Sequence, residues 1–218
     1  MESAVVADAE LMIAPGCAHC PTVLGALSEL VKQGKIGRLE VVNITRHPQL
    51  AAERGVRSVP WIRIGPFELN GAYSQGELAN WAARAGSEAG LRDYLLESLG
   101  GGELDAVIAS CRRSPELLPV LVKLAGDLET PLAVRIGVGA VFEDLAPHAL
   151  PNELIDQLRP LAASRYPQIR ADAAHLLGLL GGDAALGVLD GLLQDTDAEV
   201  REIASESLAG LADETRDD

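Results

Sequence analysis

Two cysteines three residues apart, in Cys17-Ala18-His19-Cys20, are the residues of this chain whose type and spacing can do chemistry. They follow an apolar run and open a helical stretch, a context that separates a redox dithiol from two unrelated thiols. At a helix N-terminus the unpaired N–H groups and the macrodipole favour an anion, which draws a thiol below its free value of about 8.5. Cys17 is the residue so placed and is expected to attack, or be attacked. Cys20 shares an apolar helical face with Val23, Leu24 and Leu27, so it is expected to be buried and to resolve a mixed disulfide. His19 lies between them, off that face. As an imidazolium it would tune the Cys17 thiolate further and make the pair more oxidising; as a bland alternative it is a polar surface residue. Pro21 falls in the first turn, where its missing N–H leaves no bond unmade.

The elements that must position this pair read as alternating strands and helices. Ala9–Ala14 is a buried strand ended by Pro15-Gly16, and Cys17–Lys32 carries helical periodicity closed by Gly34. Arg38–Ile44 is a second strand and Pro48–Arg54 a short helix. Trp61–Ile64 and Phe67–Leu69, separated by Gly65-Pro66, form a hairpin. Ser74-Gln75-Gly76-Glu77 has the spacing of a capping box and starts a last helix to about Arg84. The order β-α-β-α-β-β-α predicts an α/β domain with parallel pairing in its sheet.

With the dithiol at a strand-to-helix junction and Val59-Pro60 ahead of the hairpin, residues 9 to about 84 resemble a compact thioredoxin-fold domain, closest in layout to glutaredoxin-like members. That resemblance implies that Pro60 follows a cis peptide bond and that Val59 and Pro60 form a substrate-binding loop beside the cysteines. Trp61, directly after them, could shape a substrate groove, although a strand tryptophan is more often core. The chain departs from the thioredoxin pattern at two positions. Gly16 stands where that family has tryptophan, and Leu11 stands where it has a buried aspartate, leaving Cys20 to water, Glu10 or another base.

Composition changes near Ser87. Residues 1–86 hold eight Asp and Glu against eight Lys and Arg, whereas residues 87–218 hold 24 against 10, so the whole net charge of −14 belongs to the second part. A surface of that sign repels phosphate backbones and anionic lipid, so neither nucleic acid nor membrane is an expected partner. A protein substrate or redox partner with a basic patch is. Hydrophobic residues make up 48% of the chain but only seven are aromatic, a balance that favours helices packed by Ala, Leu and Val. Met1-Glu2-Ser3 lacks the basic and apolar regions of a secretory signal, which with the absence of a long apolar run leads to the expectation of a cytoplasmic protein.

From Ser87 onward helix follows helix, with starts at Ser114-Pro115, Thr130-Pro131, Pro151 and a capping box at Thr196-Asp197-Ala198-Glu199. Val134-Arg135, Ile169-Arg170 and Val200-Arg201 align, and each is followed by apolar residues at matching positions: Phe142, Leu177 and Leu208, then Leu145, Leu180 and Leu211. Between them lie second helices with Leu154, Leu158 and Leu161, and with Leu186, Leu189 and Leu193. A helix pair that repeats cannot cover its own apolar face, so its copies stack. These repeats resemble the short HEAT-like units of phycobilisome-lyase-type proteins, and the alternative is a non-repetitive bundle. The recurring arginines are expected to tie neighbouring turns through carboxylates.

Domain 1–86 is thus read as thioredoxin-like and domain 87–218 as an acidic, all-α HEAT-like solenoid. The function expected is thiol-disulfide exchange on a protein client, with Cys17 and Cys20 catalytic, His19 tuning, Val59, Pro60 and Trp61 binding substrate, and no cofactor. The alternative is an interaction scaffold whose first domain is a redox-sensitive or structural adaptor. Metal handling by Cys17 and Cys20 is a third reading, but His47, His148 and His175 show no ligand spacing and no metal is expected. Cys111, beside Arg112 and Arg113, is read as a small apolar helix residue.

Overall fold

The computed structural model describes residues 6–146 and 150–214; the N-terminal residues read for a secretory signal and His148 lie outside them. The chain divides into two compact units, one ending at Asp93 and the other beginning at Tyr94.

In the first unit, β1 (Ala9–Ile13), β2 (Leu39–Asn43), β3 (Trp61–Ile64) and β4 (Phe67–Asn70) form one sheet in the order β2-β1-β3-β4. β1 and β2 run parallel, while β3 is antiparallel to both β1 and β4, so the sheet is mixed. A right-handed crossover through α1 (Cys20–Lys32) is what a parallel neighbour requires, and the Gly65-Pro66 turn suffices for the antiparallel one. Alternation along β1 splits the interior in two. Ala9 and Leu11 face Val23, Leu27 and Leu30 of α1 and Leu78 and Ala82 of α3 (Gln75–Ala85). Met12, on the other face, packs with Val42, Trp61 and Ala51 of the short helix α2 (Pro48–Glu53). The predicted capping box is formed: the Ser74 hydroxyl accepts from the Glu77 N–H at 3.3 Å, and the Glu77 carboxylate accepts from the Ser74 N–H at 2.8 Å.

Helix α4 (Glu88–Gly100) contains the division between units, and no strand follows it among the described residues. α5 (Leu104–Arg113), a 3-10 turn (Pro115–Leu117), α6 (Leu118–Ala125), α7 (Leu132–Leu145), α8 (Leu154–Ala162), α9 (Pro167–Leu180), α10 (Gly182–Leu192) and α11 (Ala198–Glu214) complete the chain. α7 packs on α9 and α9 on α11, while α6 packs on α8 and α8 on α10, giving two layers of helices. Glycine is required where α9 meets α11, because a Cβ on Gly178 would stand 2.6 Å from the Ser207 Cβ.

Two of the aligned arginines reach carboxylates further along the chain, one in α9 and one in the turn between α10 and α11. Arg135 Nε donates to Asp172 of α9 at 2.7 Å. Arg170 makes a two-pronged contact with Asp195, 2.7 Å from Nε and 2.7 Å from Nη2, and a third bond to the Ser164 carbonyl. Arg201 ends the series on the Asp195 backbone carbonyl at 2.7 Å. One predicted start is corrected: Asp197, not Thr196, caps α11, its carboxylate accepting from the Glu199 N–H at 3.0 Å. Asp195 in turn accepts from the Asp197 N–H at 2.9 Å.

Candidate redox site

The chain leaves β1 through a tight turn in which the Cys17 N–H bonds the Ala14 carbonyl at 3.3 Å. Gly16 has φ +81° there, a conformation that a tryptophan would resist, and this is the physical reason for glycine at that position. The turn also corrects the predicted helix start. α1 begins at Cys20, with His19 as its N-cap, so Cys17 stands just ahead of the helix rather than inside it.

The electrostatic argument survives by a different route. The Cys20 N–H, one of the orphan donors of the first turn, points at the Cys17 Sγ at 3.1 Å. Cys17 and Cys20 are joined in a disulfide, their Cα atoms 5.5 Å apart. Cys17 is half-buried and Cys20 is 4% exposed, among the apolar residues of α1. Of the two sulfurs' residues, only that of Cys17 is open to a large partner. His19 is exposed, and its side chain makes no capping bond.

Strand register brings the second loop to the same place. Met12 pairs with Trp61, so the residues leaving β1 and the residues entering β3 share one end of the sheet. Val59 and Pro60 lie there, joined by a cis peptide bond, with Val59 half-buried and Pro60 buried. The Pro60 carbonyl accepts from the Gly71 N–H at 3.0 Å, which fastens the loop to the chain leaving β4. Trp61 is 2% exposed and packs with Met12, Val42 and Ala51, the core role named as its alternative above.

Glu10 is not placed to deprotonate Cys20. It sits on the α2 face of β1, opposite the Leu11 face that meets α1, and it is 3% exposed. Arg54 Nε donates to it at 3.1 Å, and the Arg63 guanidinium lies 3.3 Å from the same carboxylate. A buried carboxylate between two guanidiniums is anchored in place, a structural role. The one sequence clue to this clamp was a charged residue inside the apolar run Ala9–Ala14.

The other cysteine and histidines have surroundings of their own. Cys111 is 2% exposed, and burial, helped by the nearby Glu116, pushes its thiol up to about 12. His47 is the N-cap of α2, and His175 Nε2 lies 3.0 Å from Glu143. Among the described residues no three His, Cys, Asp or Glu side chains are gathered as metal ligands, and no helix is long and apolar enough to cross a membrane.

Comparison with known proteins follows the same division of the chain. A thioredoxin-domain family profile matches residues 8–83. A thioredoxin of Methanocaldococcus jannaschii is 34% identical over 71 residues, which span 32% of this chain and 84% of that protein.

Proposed function

Because the chain belongs to the thioredoxin family through its N-terminal domain, we propose that it is a thiol-disulfide oxidoreductase acting on a protein client, and that its helical part docks that client. The observation that carries the reading is the half-buried Cys17 sulfur facing the first N–H of α1, with its partner sulfur buried behind it.

In the reducing direction, the Cys17 thiolate attacks one sulfur of a client disulfide, and the other client sulfur leaves as a thiolate. The Cys20 thiolate then attacks the Cys17 sulfur, forming the disulfide present in this structure and releasing the second client thiolate. Two electrons pass from the dithiol to the client, and the leaving thiolates take up the protons. The oxidising direction reverses each step. The N–H at Cys17 stabilises the thiolate in both attack and departure, and His19 adds to that field. Val59 and Pro60 present backbone to the client beside the attacked sulfur.

The second part is read as HEAT-like repeats. The aligned arginines and the two helical layers support that reading. Its acidic surface would hold a basic patch of the client, and the whole would work in the cytoplasm, where a disulfide cycles rather than persists. The scaffold reading keeps one specific support: with Leu11 buried and Glu10 clamped by arginines, β1 supplies no acid to activate Cys20.

The test is covalent trapping. Cys20→Ser should accumulate a mixed disulfide through Cys17 with client protein, and the wild type should reduce a model disulfide about 10³-fold faster than Cys17→Ser. A wild type no faster than Cys17→Ser, with nothing trapped, rules out the enzyme. Partners retained by Cys17→Ser and lost on deleting residues from 87 onward would then favour the scaffold.

A further inference from the structure

The register that unites Cys17 with Val59 and Pro60 gathers more than these residues. Ile13 pairs with Asn43, and Trp61 pairs with Asn70, so the chain leaving β2 and the chain leaving β4 emerge at the same end of the sheet. Four segments therefore meet around the dithiol: 14–19, 44–47, 54–60 and 71–74. They contain His19, Arg46, His47, Arg54 and Arg57, and not one Asp or Glu. This is unexpected in a domain whose charges balance.

Pairing sharpens the asymmetry. Of the basic groups at this end, Arg54 is taken by Glu10, and elsewhere in the unit Arg38 is paired with Asp8, Lys32 with Glu29 and Arg63 with Glu10, while Arg84 lies over the Trp81 ring. Arg46 and Arg57 are exposed and meet no carboxylate among the described residues, and His19 and His47 are exposed beside them. The flanking acids are already engaged. Glu53 lies 4.0 Å from Arg54, and Glu77 is taken by the Ser74 N–H and hydroxyl in the capping box. Lys35, the other exposed amine, sits in the turn between α1 and β2, at the opposite end of the sheet.

We propose that the dithiol end selects disulfides carried in acidic peptide segments, with Arg46 and Arg57 as the residues that set this preference. The inference rests on the oxidoreductase reading and names the substrate class of its site. Arginine holds its charge throughout the physiological range and pairs with carboxylates through a planar fork. Two such side chains at the rim of the site steer an acidic segment toward Cys17 and oppose a basic one, chiefly through the rate of encounter. His19 and His47 supply further donors to the same carboxylates.

The experiment uses the reduced full chain and three synthetic peptides with one common disulfide core, flanked by Asp and Glu, by Lys, or by Ser and Gly. At low salt kcat/KM for the acidic peptide should exceed that for the basic one by about tenfold, and the ratio should fall toward one as added salt screens the exposed charges. R46E combined with R57E should bring the ratio to one or below, while Lys35→Glu should leave it where it was. A low-salt ratio near one, or a ratio that survives the double reversal, overturns the inference. The same peptides with a thioether in place of the disulfide are then compared for binding. Failure to reduce any peptide would end the oxidoreductase reading, whereas the binding ratios would still decide the charge preference.

Discussion

The two units employ the same residue types in opposite ways. In the α/β unit Cys17, joined to Cys20, and two exposed arginines that meet no carboxylate among the described residues stand at loop positions. In the helical unit the cysteine is sealed in packing, and the repeated arginines are bound to the Asp172 carboxylate, the Asp195 carboxylate and the Asp195 carbonyl. Chemistry is thus set by the backbone position, not by the residue. A loop ahead of a helix offers unpaired N–H groups and water; a position on the inner face of a helix offers neither.

The largest difference should appear in alkylation of the reduced protein. With its thiol near 12, Cys111 should react at pH 7 about 10³-fold more slowly than a free cysteine, and far more slowly than Cys17, as peptide mass spectrometry of iodoacetamide adducts would show. Comparable labelling of Cys111 and Cys17 would erase the contrast. Next in size is the ladder. Arg170→Ala removes both bonds to Asp195 and the bond to Ser164, and should cost the helical unit about 2 kcal/mol in urea unfolding without changing disulfide exchange by the folded protein.

The smallest effect separates the two rungs. Arg170 holds the Asp195 carboxyl below the ordinary aspartate value, so its contribution to stability is present above that value and lost as pH falls through the folded pKa. Asp172 goes the other way. Burial, only partly offset by Arg135, raises its carboxyl, so its contribution is present below 3.8 and lost as pH rises through the folded pKa. Asp195→Asn should therefore destabilise at pH 7 and matter less in acid, whereas Asp172→Asn should be neutral or stabilising at pH 7, with either change within about 1 kcal/mol. Equal signs at pH 7 in paired unfolding curves would show that the rungs are equivalent.

Much of this contrast was legible in the chain itself. Strands and helices of the first unit announced themselves because their periods differ and because glycine and proline punctuate them. The arginine ladder could be read because a repeat exposes its invariant positions by self-comparison. What escaped depended on contacts between distant residues or on one backbone angle. The start of α1 moved from Cys17 to Cys20 because Gly16 turns the chain through a positive φ, which no periodicity records. The α11 cap shifted from Thr196 to Asp197 because the Asp197 carboxylate takes the Glu199 and Val200 N–H groups. The cationic rim around the dithiol was invisible until register showed that four separate segments share one end of the sheet.

The clamp on Glu10 has an evolutionary corollary. Its carboxylate lies in β1, one guanidinium just past α2 and the other in β3, so three stretches of chain share a single electrostatic commitment. Losing the acid strands two neighbouring cations; losing either cation leaves the acid half-compensated away from water. Descendants of this sequence can abandon the arrangement only by replacing all three positions nearly together, and Arg54 binds the approach to Val59 and Pro60 into the same inheritance.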